Sequence, residues 1–286
     1  MEQIKKILIS LLLVFLTNNA YSQTTPVKID LSSNGNKLNA NFYKASGLEK
    51  KPTLILLHGM PGGEGDLFGL GKKLSPLGIN VLVFNFQGLW SSEGEFSFDS
   101  SMENIGSAIR FLKEEENLKK FSIDTSNIVV AGYSLGGAMA LNGAIYNPEI
   151  ERIISIAGAD ESVFGRMIKA DEGFSTMFAG MLKGLEYPEG PLKCDTEAHS
   201  KQFLSNLDRY DLVKNAEILK NREILFISGW QDKNILLEDH ILPLYRKLQE
   251  LKSEKIQIQV FNTDHSFRNV KEELSDTIEK WIKNQK

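Results

Sequence analysis

A serine flanked by glycines stands where the sequence changes from a strand pattern to a helix pattern. The apolar, β-branched run 128–131 leads into Gly132, Ser134 lies two residues further on, and Gly136 falls within the helical stretch 135–145. Glycines suit a sharp turn between a strand and a helix, because a side chain there would clash with the closely packed backbone. Such a turn lifts the Ser134 hydroxyl above the edge of a sheet and predicts a nucleophile.

His265 is the histidine best placed to activate that serine. A serine hydroxyl is a weak nucleophile until a base takes its proton. Of four histidines, His265 lies four residues after the apolar run 256–261 and just before the last helical pattern, at the sheet edge predicted for the serine. His199 and His240 fall within other segments, where surface or helix-capping roles are expected.

Three aspartates compete for the role of the acid that holds the histidine in its working tautomer. Asp232 follows the apolar run 224–229, and Asp160 follows the run 153–157 at the neighbouring strand end. Asp264 is adjacent to the histidine, but side chains of sequence neighbours seldom point at each other. The chain order serine, acid, histidine favours Asp232 and leaves Asp160 as the alternative.

Two backbone N–H groups are expected to bind the negative charge that develops on a carbonyl oxygen during attack. Leu135 is the first residue of the predicted helix, where backbone N–H groups have no intrahelical partner. The second donor is expected in the loop after the third predicted strand, which begins with His58 and Gly59. Pro61 has no N–H, so Met60 is the expected donor. His58 is expected to brace this loop by hydrogen bonding.

The elements that must position these groups are short apolar runs that alternate with helical patterns. Residues 27–31 and 38–43 flank an Asn-Gly pair, which favours a hairpin because both residues tolerate positive φ. Six further runs are mostly non-alternating, as in strands covered on both faces: 53–57, 81–84, 128–131, 153–157, 224–228 and 256–261. We therefore predict an α/β fold, a doubly wound and mostly parallel sheet with an N-terminal antiparallel hairpin.

Helical patterns are expected between these strands. Ser100 and Glu103 have the spacing of a capping box at the start of a helix that extends to Leu112. The other helical patterns cover residues 135–145, 237–251 and 270–282, and a proline at position 243 leaves the start of the third helix open.

About 65 residues separate the strands predicted at 153–157 and 224–228, which is far longer than a typical loop. Methionines and phenylalanines recur in this interval, with glycines between them. A helical cap inserted at about residues 159–220 is expected over the carboxyl edge of the sheet. The alternative is a small packed subdomain without a ligand role, since helical apolar spacing also marks ordinary core.

With His58-Gly59, the glycine-flanked Ser134, Asp232 and His265 in this order, the sequence resembles the α/β-hydrolase superfamily over about residues 27–284. Within it, the chain is similar to small prolyl-oligopeptidase-like and dienelactone-hydrolase-like esterases. Gln87 stands where the family usually has arginine, and a neutral glutamine cannot form the ion pair that such an arginine would make. The resemblance implies one α/β-hydrolase domain over residues 23–286 that needs no cofactor or metal.

The first residues have the pattern of a secretory signal. Lys5 and Lys6 precede an apolar run over 7–16, and small residues precede the expected cleavage after Ser22. The run is shorter than the about 20 residues that span a bilayer, with a retained anchor as the alternative. The mature chain is expected in the periplasm or the medium, without membrane association.

Composition narrows the remaining classes of protein. The chain of 286 residues has one cysteine, Cys194, which excludes an intramolecular disulfide framework and a cysteine-rich metal site. A net charge of −4 without a basic stripe argues against nucleic acid as a partner. Nothing in the sequence specifies an oligomeric state.

These features predict an exported serine hydrolase that cleaves carboxylic esters through an acyl-enzyme. Small-molecule esters are the expected substrates. A serine aminopeptidase or acylpeptide hydrolase acting on short peptides is the first alternative, because the same groups cleave amides. A non-catalytic binding protein on the same fold is the second.

Overall fold

The computed structural model describes residues 25–284 of the 286-residue chain. The predicted signal, residues 1–22, and the predicted cleavage after Ser22 lie outside the described residues. Among the residues that are described, no helix is both long enough and apolar enough to cross a membrane.

Within residues 25–284 the chain forms an eight-stranded sheet. The strands are β1 (Val27–Ser33), β2 (Asn36–Tyr43), β3 (Lys51–Leu57), β4 (Asn80–Phe84), β5 (Ile123–Tyr133), β6 (Arg152–Ile156), β7 (Glu223–Gly229) and β8 (Ile256–Phe261). Their spatial order is β1-β2-β4-β3-β5-β6-β7-β8. Strand β2 pairs antiparallel with β1 and β4, and every other pairing is parallel. The predicted α/β class and mostly parallel sheet are confirmed.

Helices cover both faces of this sheet. They are α1 (Leu70–Leu74), α2 (Phe98–Lys113), α3 (Glu115–Phe121), α4 (Leu135–Tyr146), α5 (Glu161–Ala170), α6 (Glu172–Leu185), α7 (Thr196–Ser205), α8 (Leu207–Tyr210), α9 (Ala216–Leu219), α10 (Leu242–Glu250) and α11 (Lys271–Lys283). The two faces of β3 join different apolar clusters: Ile55 and Leu57 pack on one side, Leu54 and Leu56 on the other. Such a strand has no solvent face, which explains its unbroken apolar run.

The N-terminal hairpin turns where the sequence predicts. Asn34 and Gly35 have φ of 49° and 81°, and Ser33 pairs with Asn36 across the turn. Positive φ at both residues gives a two-residue turn whose twist matches that of the strands. The predicted antiparallel hairpin is therefore confirmed.

Helix α2 begins earlier than the predicted capping box. Its N-cap is Ser97, whose hydroxyl accepts a hydrogen bond from the Ser100 N–H, while the Ser100 hydroxyl accepts one from the Ser97 N–H, both at 2.9 Å. The predicted Ser100–Glu103 box is wrong, and Glu103 instead bonds the side chain of Asn34. Burial of Phe98 extends the helix backwards by a turn.

The helix predicted over 237–251 is divided. A π-helical turn covers Leu237–Ile241, and α10 follows it with Pro243 in its first turn. Proline is tolerated there because its missing N–H has no intrahelical partner to lose.

Helices α5 to α9 occupy the interval 159–220, for which the cap is predicted. Helix α6 has no buried residue. Helices α5 and α8 approach closely at Gly165, where a Cβ would lie 2.1 Å from the Leu207 side chain. Only glycine therefore fits at that crossing without a shift of its neighbour.

Candidate active site

Ser134 occupies the sharp turn between β5 and α4. Its φ of 53° and ψ of −118° lie outside the regions that non-glycine residues normally adopt. The backbone around it is held by a hydrogen bond from the Ser134 N–H to the Ile156 carbonyl, 2.9 Å long. Strained residues of this kind persist only where surrounding structure fixes them, and they cluster at functional sites.

The flanking glycines let backbone pack on backbone around this turn. A Cβ at Gly132 would lie 2.1 Å from the carbonyl carbon of Gly136. The loop after β3 also lies against the serine, because a Cβ at Gly59 would be 3.1 Å from Ser134 Cβ. Met60 directly follows Gly59, and Leu135 is the first residue of α4. Both backbone segments predicted to supply oxyanion donors thus adjoin the serine.

The structure brings Ser134, His265 and Asp232 into one hydrogen-bonded chain. Nε2 of His265 lies 3.2 Å from Ser134 Oγ, and Nδ1 of His265 lies 2.7 Å from Asp232 Oδ2. The Asp232 side chain has no exposed surface, whereas that of His265 is 19% exposed. A serine hydroxyl bonded to an imidazole that is itself bonded to a buried acid can transfer a proton away from the nucleophile.

The Asp232 carboxylate is held in its ionised form. Its Oδ1 accepts hydrogen bonds from the backbone N–H groups of Asn234 and Ile235, each at 2.9 Å. Burial opposes ionisation, but the hydrogen bond from His265 and these two backbone bonds outweigh it, so the pKa of Asp232 lies below its ordinary value. A charged acid at this position favours the proton on Nδ1 of His265.

Asp160, the alternative acid, has other partners. Its carboxylate accepts hydrogen bonds from the Ser162 N–H at 3.0 Å, from the Ser162 hydroxyl and from the Leu212 N–H at 3.3 Å. It caps α5, and burial raises its pKa to about 6. In the structure Asp232, rather than Asp160, hydrogen bonds to His265.

The two remaining histidines of the second half of the chain lie elsewhere. Of the two roles expected for His240, the surface position does not hold, because the residue is buried; its Nδ1 accepts a hydrogen bond of 3.2 Å from the Asp160 N–H. The ring of His199 packs edge-on against Phe98, with 5.0 Å between centroids. Burial lowers the pKa of both histidines, which favours their neutral forms.

The loop of residues 58–65 is braced by side chains. Three of its carbonyl groups accept one side-chain N–H each: Pro61 from the Trp90 indole at 2.7 Å, Gly63 from Asn85 at 3.0 Å, and Gly65 from His58 at 3.0 Å. The pKa of His58 is lowered by burial, although its bond to Gly65 opposes that shift. A neutral His58 with its proton on Nε2 fits this bond, because a carbonyl only accepts.

Tyr133 makes two contacts with His265 that leave no signal in the sequence. The Tyr133 hydroxyl donates to the His265 carbonyl at 2.8 Å, and the two rings lie 4.9 Å apart. The hydrogen bond ties the loop that carries His265 to the residue just before Ser134.

Gln87, at the position of the family's arginine, donates from its side chain to the Glu95 carbonyl at 3.1 Å.

An aromatic stack lies between α5 and α6. Phe164 of α5 faces Phe174 and Phe178 of α6, with centroids 6.0 to 6.4 Å apart, and the Phe164 ring also lies 4.9 Å from that of His240. These three phenylalanines are only partly buried, so their rings form an apolar wall with some exposed surface. Across residues 25–284, no three His, Cys, Asp or Glu side chains are grouped as metal ligands would be.

Known proteins resemble this chain in sequence and in fold. The sequence profile described as alpha/beta hydrolase fold matches residues 52–267. A proline iminopeptidase of Saccharolobus solfataricus is 28% identical over 127 residues, which cover 43% of this chain and 37% of that protein. The matched stretch therefore spans well under two thirds of that relative.

Solved structures share the fold at low identity. Est1E from Butyrivibrio proteoclasticus is 15% identical with a TM-score of 0.63, over 89% of this chain and 97% of that chain. The Pyrococcus furiosus esterase Pf2001 is 16% identical with a TM-score of 0.64, over 91% and 92%. The Pyrococcus horikoshii acylaminoacyl peptidase is 18% identical with a TM-score of 0.62, over 94% of this chain but 42% of that one.

Proposed function

The chain belongs to the alpha/beta hydrolase family, and on that premise we propose that it hydrolyses carboxylic esters with Ser134 as the nucleophile. The observation that carries the proposal is the hydrogen-bonded chain from the Ser134 hydroxyl through His265 to Asp232. An imidazole in contact with both a hydroxyl and a buried carboxylate is the arrangement that activates serine for acyl transfer.

The first half of the reaction forms an acyl-enzyme. Nε2 of His265 takes the Ser134 proton as Oγ attacks the ester carbonyl carbon, and the ionised Asp232 stabilises the imidazolium that results. The oxyanion of the tetrahedral intermediate accepts hydrogen bonds from the N–H groups of Leu135 and Met60. When the intermediate collapses, His265 returns the proton to the departing alkoxide, which leaves as an alcohol.

The second half releases the acid. Water replaces the alcohol, His265 takes one of its protons, and the hydroxide attacks the acyl carbonyl carbon against the same two N–H donors. Collapse of this second intermediate returns the proton to Ser134 Oγ and frees the carboxylic acid. No cofactor enters this sequence of proton transfers.

The apolar wall between α5 and α6 supports a substrate with an apolar group. Phe164, Phe174 and Phe178 present ring faces and edges but no hydrogen-bonding groups. Apolar surface of this kind gains free energy by covering an alkyl or aryl group of a ligand. We propose that helices α5 to α9 form a cap whose inner side receives the acyl or alcohol part of the ester.

The test is a matched pair of serine variants. Ser134→Ala should abolish hydrolysis of p-nitrophenyl acetate and labelling by a fluorophosphonate probe, whereas Ser205→Ala, at an exposed serine on α7, should change neither. If Ser134→Ala still hydrolyses the ester, the proposal is wrong. A wild-type protein that neither reacts with the probe nor hydrolyses esters would favour a binding protein on this fold.

A peptidase is the second candidate. The relatives named as a proline iminopeptidase and an acylaminoacyl peptidase favour it, and the same groups cleave an amide when the leaving amine receives the proton. Aminoacyl naphthylamides, acyl-peptides and short acyl esters should be assayed side by side, with Ser134→Ala as the blank. Preference for the amides by kcat/KM would replace the esterase assignment.

We also propose export, with cleavage after Ser22, from the charge and apolar pattern of the first residues. Full-length protein expressed in a bacterium should be recovered from the periplasmic or medium fraction with Gln23 as its N-terminal residue. Recovery of uncleaved protein in the membrane fraction would favour the anchor.

A further inference from the structure

Trp90 links the 58–65 loop to the helices between β6 and β7. Its indole N–H donates to the Pro61 carbonyl at 2.7 Å, the shortest of the three side-chain bonds to carbonyl groups of that loop. Pro61 directly follows Met60, whose N–H is the second oxyanion donor of the proposed reaction. Because the proline ring fixes φ, a bond that holds the Pro61 carbonyl also limits the directions open to Met60.

The Trp90 backbone is held by residues 186–193, which follow α6 and are called the returning segment below. Its N–H donates to the Pro191 carbonyl at 2.9 Å, and its own carbonyl accepts from Lys193 Nζ at 2.9 Å. Its φ is 53°, in the left-handed region that costs free energy for a residue with a Cβ. The hydrogen bonds of its N–H and carbonyl groups therefore hold the Trp90 backbone in this unfavourable conformation.

The returning segment is in turn attached to the end of α6. The Leu192 N–H donates to the carbonyl of Leu185, the last residue of α6, at 2.8 Å, and Leu192 forms a bridge with Leu89. A continuous set of hydrogen bonds thus runs from α6 through residues 191–193 to Trp90 and then to Pro61. One end of this path is the helix that carries Phe174 and Phe178.

We propose that Trp90 is a positioning residue that sets the Met60 N–H for the oxyanion and makes that donor depend on the placement of α6. The inference rests on the proposed ester hydrolysis. An oxyanion donor contributes only when it lies within hydrogen-bond reach of the developing charge, and loss of one donor costs about 100-fold to 1,000-fold in kcat. If the Met60 N–H is held less firmly, kcat should fall by part of that factor, and binding of the substrate in its ground state should be unchanged.

The primary test is Trp90→Phe, which keeps an aromatic ring and removes the N–H. We expect kcat for p-nitrophenyl acetate to fall about 10-fold to 100-fold, with KM changed less than about two-fold, because the lost interaction acts in the transition state. Affinity for phenylboronic acid, which forms a tetrahedral adduct with serine, should weaken with kcat. Tyr187→Phe, at an exposed aromatic of the same returning segment, is the control and should match wild type.

A second variant tests the connection to α6. Lys193→Met removes the ammonium that bonds the carbonyl of Trp90, so kcat should fall by a smaller factor at unchanged KM. In the double variant Trp90→Phe/Lys193→Met, the fall in kcat should be smaller than the product of the two single effects, since both act on one loop.

Three results would overturn the positioning role. They are unchanged kcat in Trp90→Phe, a raised KM at unchanged kcat, and multiplicative effects in the double variant. Misfolding is separated from these by active-site titration with the fluorophosphonate probe, which corrects kcat for the reactive fraction. If Ser134→Ala is inactive while Trp90→Phe matches wild type, only this inference fails; an active Ser134→Ala overturns the proposed function itself.

Discussion

Gly136 lies so close to the Leu57 carbonyl oxygen that a Cβ on the glycine would be 2.4 Å from it. Leu57 is the last residue of β3, and Gly136 is the second residue of α4, the helix that follows Ser134. The N-terminus of α4 therefore packs directly against the end of the central strand β3. It also keeps the first turn of that helix beside the 58–65 loop.

Gly136→Ala should disturb the packing of α4 against the end of β3. The new methyl group meets backbone atoms of Leu57 and His58, which cannot rotate aside, so α4 must shift. We expect a loss of about 1–3 kcal/mol in the free energy of unfolding, as for overpacking elsewhere. We also expect a fall in kcat, because the shift moves the Leu135 N–H. Urea unfolding and ester hydrolysis measure the two effects.

Gly180→Ala is the matched control. Gly180 lies within α6, and a Cβ added there would have no other atom within 4 Å, so alanine should stabilise the helix by about 0.5–1 kcal/mol and leave kcat unchanged. Equal effects of the two substitutions would show that the contact between α4 and β3 yields easily.

Asp232→Asn tests the acid of the hydrogen-bonded chain. The amide lacks the negative charge that holds the proton on Nδ1 of His265, so kcat should fall by up to about 10⁴-fold in folded protein. Asp160→Asn should leave kcat within about ten-fold, because the Asp160 carboxylate bonds Ser162 and Leu212. Its larger effect should be on stability. A large loss of kcat in Asp160→Asn with a mild one in Asp232→Asn would move the acid to Asp160.

The sheet was predictable from sequence because periodicity reports burial. The runs beginning at Thr53 and Ile224 are apolar on both faces, and both fall inside parallel strands with neighbours on each side. The start of α2 was not predictable, because two pairs of residues have the spacing of a capping box. These are Ser97 with Ser100 and Ser100 with Glu103. Burial of Phe98 decided between them, and burial is a property of the folded chain.

The hydrogen-bonded chain was predictable for a different reason. In a doubly wound sheet the ends of parallel strands meet at one edge, so Ser134, Asp232 and His265 are brought together by topology alone. The contacts of Tyr133 and Trp90 follow from loop conformation instead. Loop conformation depends on single hydrogen bonds between distant segments, such as the one from Trp90 to Pro61, and these leave no periodic pattern in the sequence.

Phe178→Ala tests the apolar wall. Phe178 stacks against both Phe164 and Phe174, with centroids 6.0 and 6.1 Å away, on the half-buried side of α6. Truncation should raise KM for an aryl or medium-chain ester by about five-fold, equivalent to about 1 kcal/mol of lost apolar contact, and leave acetate almost unchanged. Met177→Ala, one residue away on the exposed side of the helix, should leave both substrates unaffected. Parallel changes for long and short esters would argue that the wall is ordinary core.

Glu161→Gln tests a buried acid at the start of α5. Glu161 is 6% exposed, and burial together with the nearby Asp160 carboxylate raises its pKa to about 8. The folded state thus favours the protonated form, whereas the unfolded chain ionises near pH 4.3. The stability this group contributes is fully present below that pH and is lost as pH rises through about 8.

The variant cannot ionise, so its free energy of unfolding should fall less than that of wild type between about pH 5 and about pH 9. The difference should reach a few kcal/mol, since one pKa unit corresponds to about 1.4 kcal/mol. Urea unfolding at three pH values measures it. Glu172→Gln is the control, because Glu172 also opens a helix behind an aspartate cap but is exposed, and its curve should run parallel to wild type. A Glu161→Gln curve parallel to wild type would mean that the Glu161 carboxylate finds a partner or solvent when it ionises.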